Sequence, residues 1–144
     1  MNTLNQFTGL ELLRSIGLVP NNTIVQEADK LISALTDPPY WLIELSTEGK
    51  SQTVINKTFN CPEESLQFAL RVAYEKWNNK ELSNEKLSEI CNFIKCKSSN
   101  ESKFFLHLSW VEAELDLVEL NIKWEEEHKS ITKVKQSIEA LLES

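Results

Sequence analysis

At 144 residues, 41% hydrophobic and 26% charged, the chain has the composition of one ordinary globular domain. That length buries roughly 68–70% of the unfolded surface without disulfide or metal staples. A net charge of −7 argues against nucleic acid and anionic membranes, which are held by clustered Lys and Arg, and favours a basic partner. Three Gly and four Pro leave few tight turns, so the expected fold is mainly α: a single-domain multi-helix bundle spanning 1–144.

The first six residues lack the basic and apolar regions of a signal peptide, and no apolar run approaches the ~20 residues of a membrane span. A soluble, cytoplasmic chain is expected. Thr8-Gly9-Leu10-Glu11 matches a capping box, predicting a helix over 9–16 with Leu10, Leu13 and Ile16 inward and Gly17 at the left-handed position past its end. Thr23-Ile24-Val25-Gln26 repeats the signature for a helix over 24–35, which Asp37-Pro38-Pro39 stops.

Two readings compete for residues 40–59. Tyr40-Trp41-Leu42-Ile43-Glu44-Leu45 and Gln52-Thr53-Val54-Ile55-Asn56-Lys57-Thr58-Phe59 have strand composition with Gly49 between them, which predicts a small antiparallel β-hairpin. Alternatively Asp37 caps a short helix with Pro38 at its first position.

Asn60-Cys61-Pro62-Glu63-Glu64 is a helix start, with Pro and two acids in the first turn. Leu66, Ala69, Leu70, Ala73 and Trp77 mark its buried face, and Ser83 caps the next helix, which buries Leu87, Ile90, Cys91, Phe93 and Ile94. Residues 100–127 form the expected long central helix. Phe104, Leu108, Val111, Leu115, Val118 and Ile122 make one apolar stripe; Leu106, Trp110, Ala113, Leu117, Leu120 and Trp124 make another on the opposite side. Two apolar faces call for neighbours on both. The stripe fails at Glu125-Glu126-Glu127-His128-Lys129-Ser130, where a bend is expected before a last helix, capped by Ser130, with Ile131, Val134, Ile138 and Leu141.

No motif specifies a chemistry, and no catalytic, metal or cofactor site is expected. Cys61, Cys91 and Cys96 are odd in number and lack CxxC spacing, so they read as reduced thiols. Cys91, Cys96 and His107 make a poor metal site, because five residues set the two cysteines roughly 140° apart around a helix and a fourth ligand is missing. The cysteines read instead as small buried hydrophobes. Glu125 to His128 is a single Glu-x-x-His step without the second that a di-iron bundle needs.

Glu112, Asp116 and Glu119 form one acidic row, extended by Glu125, Glu126 and Glu127. Like charges at (i, i+4) cost the monomer about 0.2–0.5 kcal/mol each, so the row is either a solvated face or a surface for a basic protein. Tyr40 and Trp41, beside Pro38-Pro39, are the aromatics placed as binding anchors.

In Pro38-Pro39-Tyr40-Trp41-Leu42-Ile43-Glu44-Leu45-Ser46, and in the acidic helical character around it, the chain resembles small immunity proteins of bacterial contact-dependent toxin systems. The resemblance implies a cytosolic, non-enzymatic protein that binds and neutralises one cognate toxin, often a basic nuclease. A helical adaptor or self-assembling structural protein is the alternative.

Overall fold

Helices supply all the regular structure among the residues that the computed structural model describes, which are 2–98, 102–119 and 124–143; the side chains of 103, 118, 119 and 124–128 fall outside that description. The chain divides into two compact units, Met1–Phe68 and Ala69–Ser144.

In the first unit, α1 (Thr3–Ser15) starts earlier than its sequence signature suggests. Asn2 is the N-cap, its side-chain oxygen accepting from the Leu4 amide at 2.8 Å. Thr8 therefore lies inside the helix, and its hydroxyl donates to the Leu4 carbonyl at 2.8 Å. That corrects the capping-box reading: Gly9, taken as the helix start, serves close packing instead. A Cβ on Gly9 would stand 2.8 Å from the Ser65 carbonyl oxygen and 2.9 Å from the Phe68 ring, and beside it the buried Ser65 hydroxyl donates to the Asn5 carbonyl at 2.7 Å. The end of α1 is as expected. Gly17 sits at φ 77°, with Leu18 N donating to Leu13 O at 2.9 Å and Gly17 N to Arg14 O at 3.0 Å, the paired bonds that close a helix through a left-handed residue.

Next, α2 (Asn21–Ala34) begins at Pro20 without a side-chain cap and buries Ile24 and Ala28. Where the hairpin was expected there are instead α3 (Tyr40–Glu48), α4 (Gln52–Lys57) and a 3-10 turn (Thr58–Asn60). Strand-forming composition lost to burial: Leu42 and Leu45, three apart, both point into the core, as does Val54, and β propensity is a weak, context-dependent preference. Gly49 is not a hairpin turn but the left-handed cap of α3, at φ 78°, with its N–H on the Leu45 carbonyl at 3.0 Å. The competing helical reading of this stretch holds, with Pro39 rather than Asp37 at the N-cap.

Residues Glu63 to Phe68 of α5 (Glu63–Asn78) belong to the first unit and the remainder to the second. There, α6 (Asn84–Lys97) starts on Ser83, whose hydroxyl accepts from Lys86 N at 3.0 Å. After it come α7 (Lys103–Glu119) and α8 (Trp124–Glu143). The expected bend at Glu125 to Ser130 is corrected, because those residues are helical within α8 and Ser130 is no cap. Of the expected single helix over 100–127, the described residues form α7 and the start of α8, and residues 100, 101 and 120–123 lie outside the description.

α7 packs against both α6 and α8. Phe104, Leu108, Val111 and Leu115 are fully buried, joined by Leu87, Ile90, Cys91 and Ile94 of α6 and by Val134, Ile138 and Leu141 of α8. Each such burial is worth roughly 1.5–3 kcal/mol. The second stripe is a correction: Leu106 is 59% exposed, Trp110 69% and Leu117 45%, and Ala113 is exposed too. Its neighbours Leu120 and Trp124, like Val118 and Ile122 of the first stripe, have side chains outside the description.

Candidate functional site

Two members of the acidic row of α7, Glu112 and Asp116, have described side chains, and their surroundings differ. Glu112 is half-buried and receives the Lys95 ammonium of α6 at 2.5 Å, while Lys95 also lies 5.7 Å from the Phe105 ring centroid. Its carboxylate thus ties α6 to α7. Asp116 is exposed. The side chains of Glu119, Glu125, Glu126 and Glu127 lie outside the described residues. Glu114, on the α8 side, meets Lys133 at 3.8 Å through one oxygen, whereas its other oxygen is buried with no hydrogen-bond partner among the described residues. An unsatisfied buried acceptor costs about 1–3 kcal/mol.

Among the described residues, one helix in each unit carries a row of exposed apolar side chains at helical spacing. In the second unit Leu106, Trp110, Ala113 and Leu117 stand at steps of four, three and four along the outward side of α7. Beside them an open groove of about 330 Å³ runs between α7 and α8, lined by His107, Trp110, Gln136, Ser137 and Ala140. Rising numbers on α7 meet falling numbers on α8, from His107 near Ala140 to Glu114 on Lys133, so the two helices are antiparallel.

In the first unit the surface is the outward side of α3. Tyr40 is 75% exposed, Ile43 is exposed as well, and Thr47 continues their helical row. Asp37 and Glu48 stand exposed at its two ends. Trp41, the other expected anchor, is half-buried and stacks edge-on against Phe7, ring centroids 5.8 Å apart. Adjacent positions on a helix point about 100° apart, so Tyr40 faces out where Trp41 holds the helix down. Ser46 donates to Asp29 of α2, a second tether. The row is therefore presented on a clamped helix. Composition alone concealed it, because the helical period of 40–48 is what separates Tyr40 and Ile43 from Leu42 and Leu45.

Cys91 and Tyr74 are the titratable groups shifted furthest among the described residues. None of the described His, Cys, Asp and Glu side chains gather in threes able to hold a metal ion. Cys91 is buried and its thiol is pushed up to about 12, first by desolvation and then by the nearby Glu112 carboxylate, which makes it a poor nucleophile at neutral pH. Cys96 is exposed and Cys61 half-buried, so burial as small hydrophobes describes Cys91 alone. Tyr74, also buried, is pushed up to about 12 by desolvation and by donating to Glu139 at 2.6 Å, a link between α5 and α8. No family model, curated protein or solved structure matches the chain.

Proposed function

We propose that this chain is a non-enzymatic protein-binding protein, an immunity protein that neutralises a basic, nuclease-type bacterial toxin by covering its surface. The observation that carries the reading is the outward row of α3: Tyr40, exposed on a helix anchored by its neighbour Trp41, with exposed Asp37 and Glu48 at the ends. A pre-positioned tyrosine supplies contact area at low entropic cost, and aromatic residues are enriched among binding hot spots. The surplus of negative charge suits a cationic partner, whose association it speeds in a salt-dependent way.

The test is co-expression with a basic toxin domain encoded beside this gene. Protection of the cell and a one-to-one complex are expected, and the double variant Tyr40→Ala, Ile43→Ala should weaken binding by about 2 kcal/mol, roughly thirtyfold, while leaving the fold intact. Absence of protection by the wild-type chain rules out the immunity role. Protection undiminished in the double variant moves the interface away from α3.

A further inference from the structure

We propose that the outward face of α7 binds a second copy of this chain, helix against helix and antiparallel. This goes beyond the proposed toxin binding and uses a different surface in a different unit. The argument is the order of residues on the stripe. Leu106, Trp110, Ala113 and Leu117 are exposed and follow the four-three spacing of a helix-pairing seam. A two-fold axis passing between Val111 and Glu112 sets Leu106 against Leu117 of the second copy and Trp110 against Ala113 of the second copy. The bulkiest side chain of the row then meets the smallest at both ends of the crossing, and leucine meets leucine outside it. Parallel pairing would instead stack Trp110 on its own equivalent and leave a gap at Ala113.

The flank that faces α8 offers an imidazole and a carboxylate. His107 and Glu114 lie on the same side of the stripe, the side that faces α8. About the same axis, His107 comes within two residues of axial rise, roughly 3 Å, of Glu114 of the second copy, so an imidazole faces a carboxylate twice over. The groove lined by His107, Trp110, Gln136, Ser137 and Ala140 opens beside this crossing. Isologous contacts of this kind close on themselves and do not propagate into fibres. Four stripe residues per copy make a small interface, at or below the low end of specific ones, roughly 1,200 Å². The dimer should accordingly dissociate on dilution.

Sedimentation equilibrium of the full chain, from micromolar to millimolar concentration, should show a concentration-dependent doubling of mass. Trp110→Glu should remain monomeric throughout with an unchanged circular dichroism spectrum, because its site is exposed in the monomer, whereas Tyr40→Ala should dimerise normally. The register is read by oxidation in a Cys96→Ser background. The pair Leu106→Cys, Leu117→Cys should give a reducible covalent dimer, and neither single variant should. A wild-type chain that is monomeric at every concentration, a dimer indifferent to Trp110→Glu, or single variants that cross-link as well as the pair would each overturn the proposal. Should the wild-type chain be monomeric and Trp110→Glu abolish toxin neutralisation, the stripe belongs to that partner and self-pairing is wrong. Loss of neutralisation in Tyr40→Ala with dimerisation intact leaves both readings standing.

Discussion

Along α7, two stripes of the same residue types at the same spacing meet opposite fates. Phe104, Leu108, Val111 and Leu115 are sealed between α6 and α8, while Leu106, Trp110, Ala113 and Leu117 stand in solvent. The difference does not lie in the helix, since either stripe alone would pass for a core face. It lies in what the rest of the unit supplies: among the described residues, α6 and α8 pack against α7 and one stripe is buried. Periodicity identifies a face that can be buried; burial needs a partner, and the second stripe has none among the described residues of its unit.

The largest effect that tests this contrast comes from placing a carboxylate on each stripe in turn. Leu115→Asp removes a fully buried side chain and strands a charge among apolar groups, at a cost of about 4 kcal/mol or more, out of a total stability of typically 5–15. Leu117→Asp, two residues away and 45% exposed, should change stability by no more than about 0.5 kcal/mol in dilute protein. Urea midpoints measure both. Equal losses would mean that the two faces are buried alike and would abolish the distinction.

A smaller effect separates two members of the acidic row. Glu112 and Asp116 are one helical turn apart and chemically alike, yet only Glu112 is held, by Lys95 at 2.5 Å with both side chains less than a fifth exposed. Glu112→Ala leaves a half-buried ammonium without its counter-charge and should cost about 1–3 kcal/mol. Asp116→Ala should cost next to nothing, because its side chain is exposed and such surface changes stay within about 0.5 kcal/mol. Thermal unfolding of the two variants side by side reads the difference. Parity between them would show that Lys95 and Glu112 gain no more from meeting than two solvated ions do.

These pairs also show where sequence reasoning reached and where it stopped. Pro62 with Glu63 and Glu64, Ser83, and Gly17 announced helix ends correctly, because each acts through its own backbone or the next turn. The hairpin expected over 40–59 failed because aromatic and branched residues favour strands only when cross-strand neighbours exist, and here Leu42 and Leu45 found a helical core instead. Glu112 was legible as a member of an acidic row, but its partner comes from another helix, 17 residues away, and no local rule reaches that far. Tyr40 and Trp41 were picked out together as aromatics beside two prolines. That one faces solvent and the other packs on Phe7 follows only once the stretch is known to be helical.

The smallest effect concerns backbone at two exposed helix ends that share one geometry. After α5, Lys80 N donates to Trp77 O at 3.0 Å and Glu81 N to Lys76 O at 2.8 Å, the same paired closure that Gly17 and Leu18 make after α1. Gly17 holds φ 77° without a side chain, whereas Lys80 holds φ 65° with one. For an L-residue other than Gly that conformation costs roughly 1–2 kcal/mol, and a glycine substituted there loses about 0.4–1 kcal/mol back through the greater freedom of its unfolded chain. The balance favours glycine, so Lys80→Gly should stabilise the protein by about 0.5–1 kcal/mol. Nothing stands within 4 Å of a Cβ on Gly17, so the reverse substitution, Gly17→Lys, tests backbone strain free of any clash and should destabilise by a similar amount. Denaturant midpoints moving in opposite directions would establish that these ends are governed by the left-handed residue. If Lys80→Gly lowers the midpoint, the lysine side chain stabilises the end of α5 by more than its backbone strain costs.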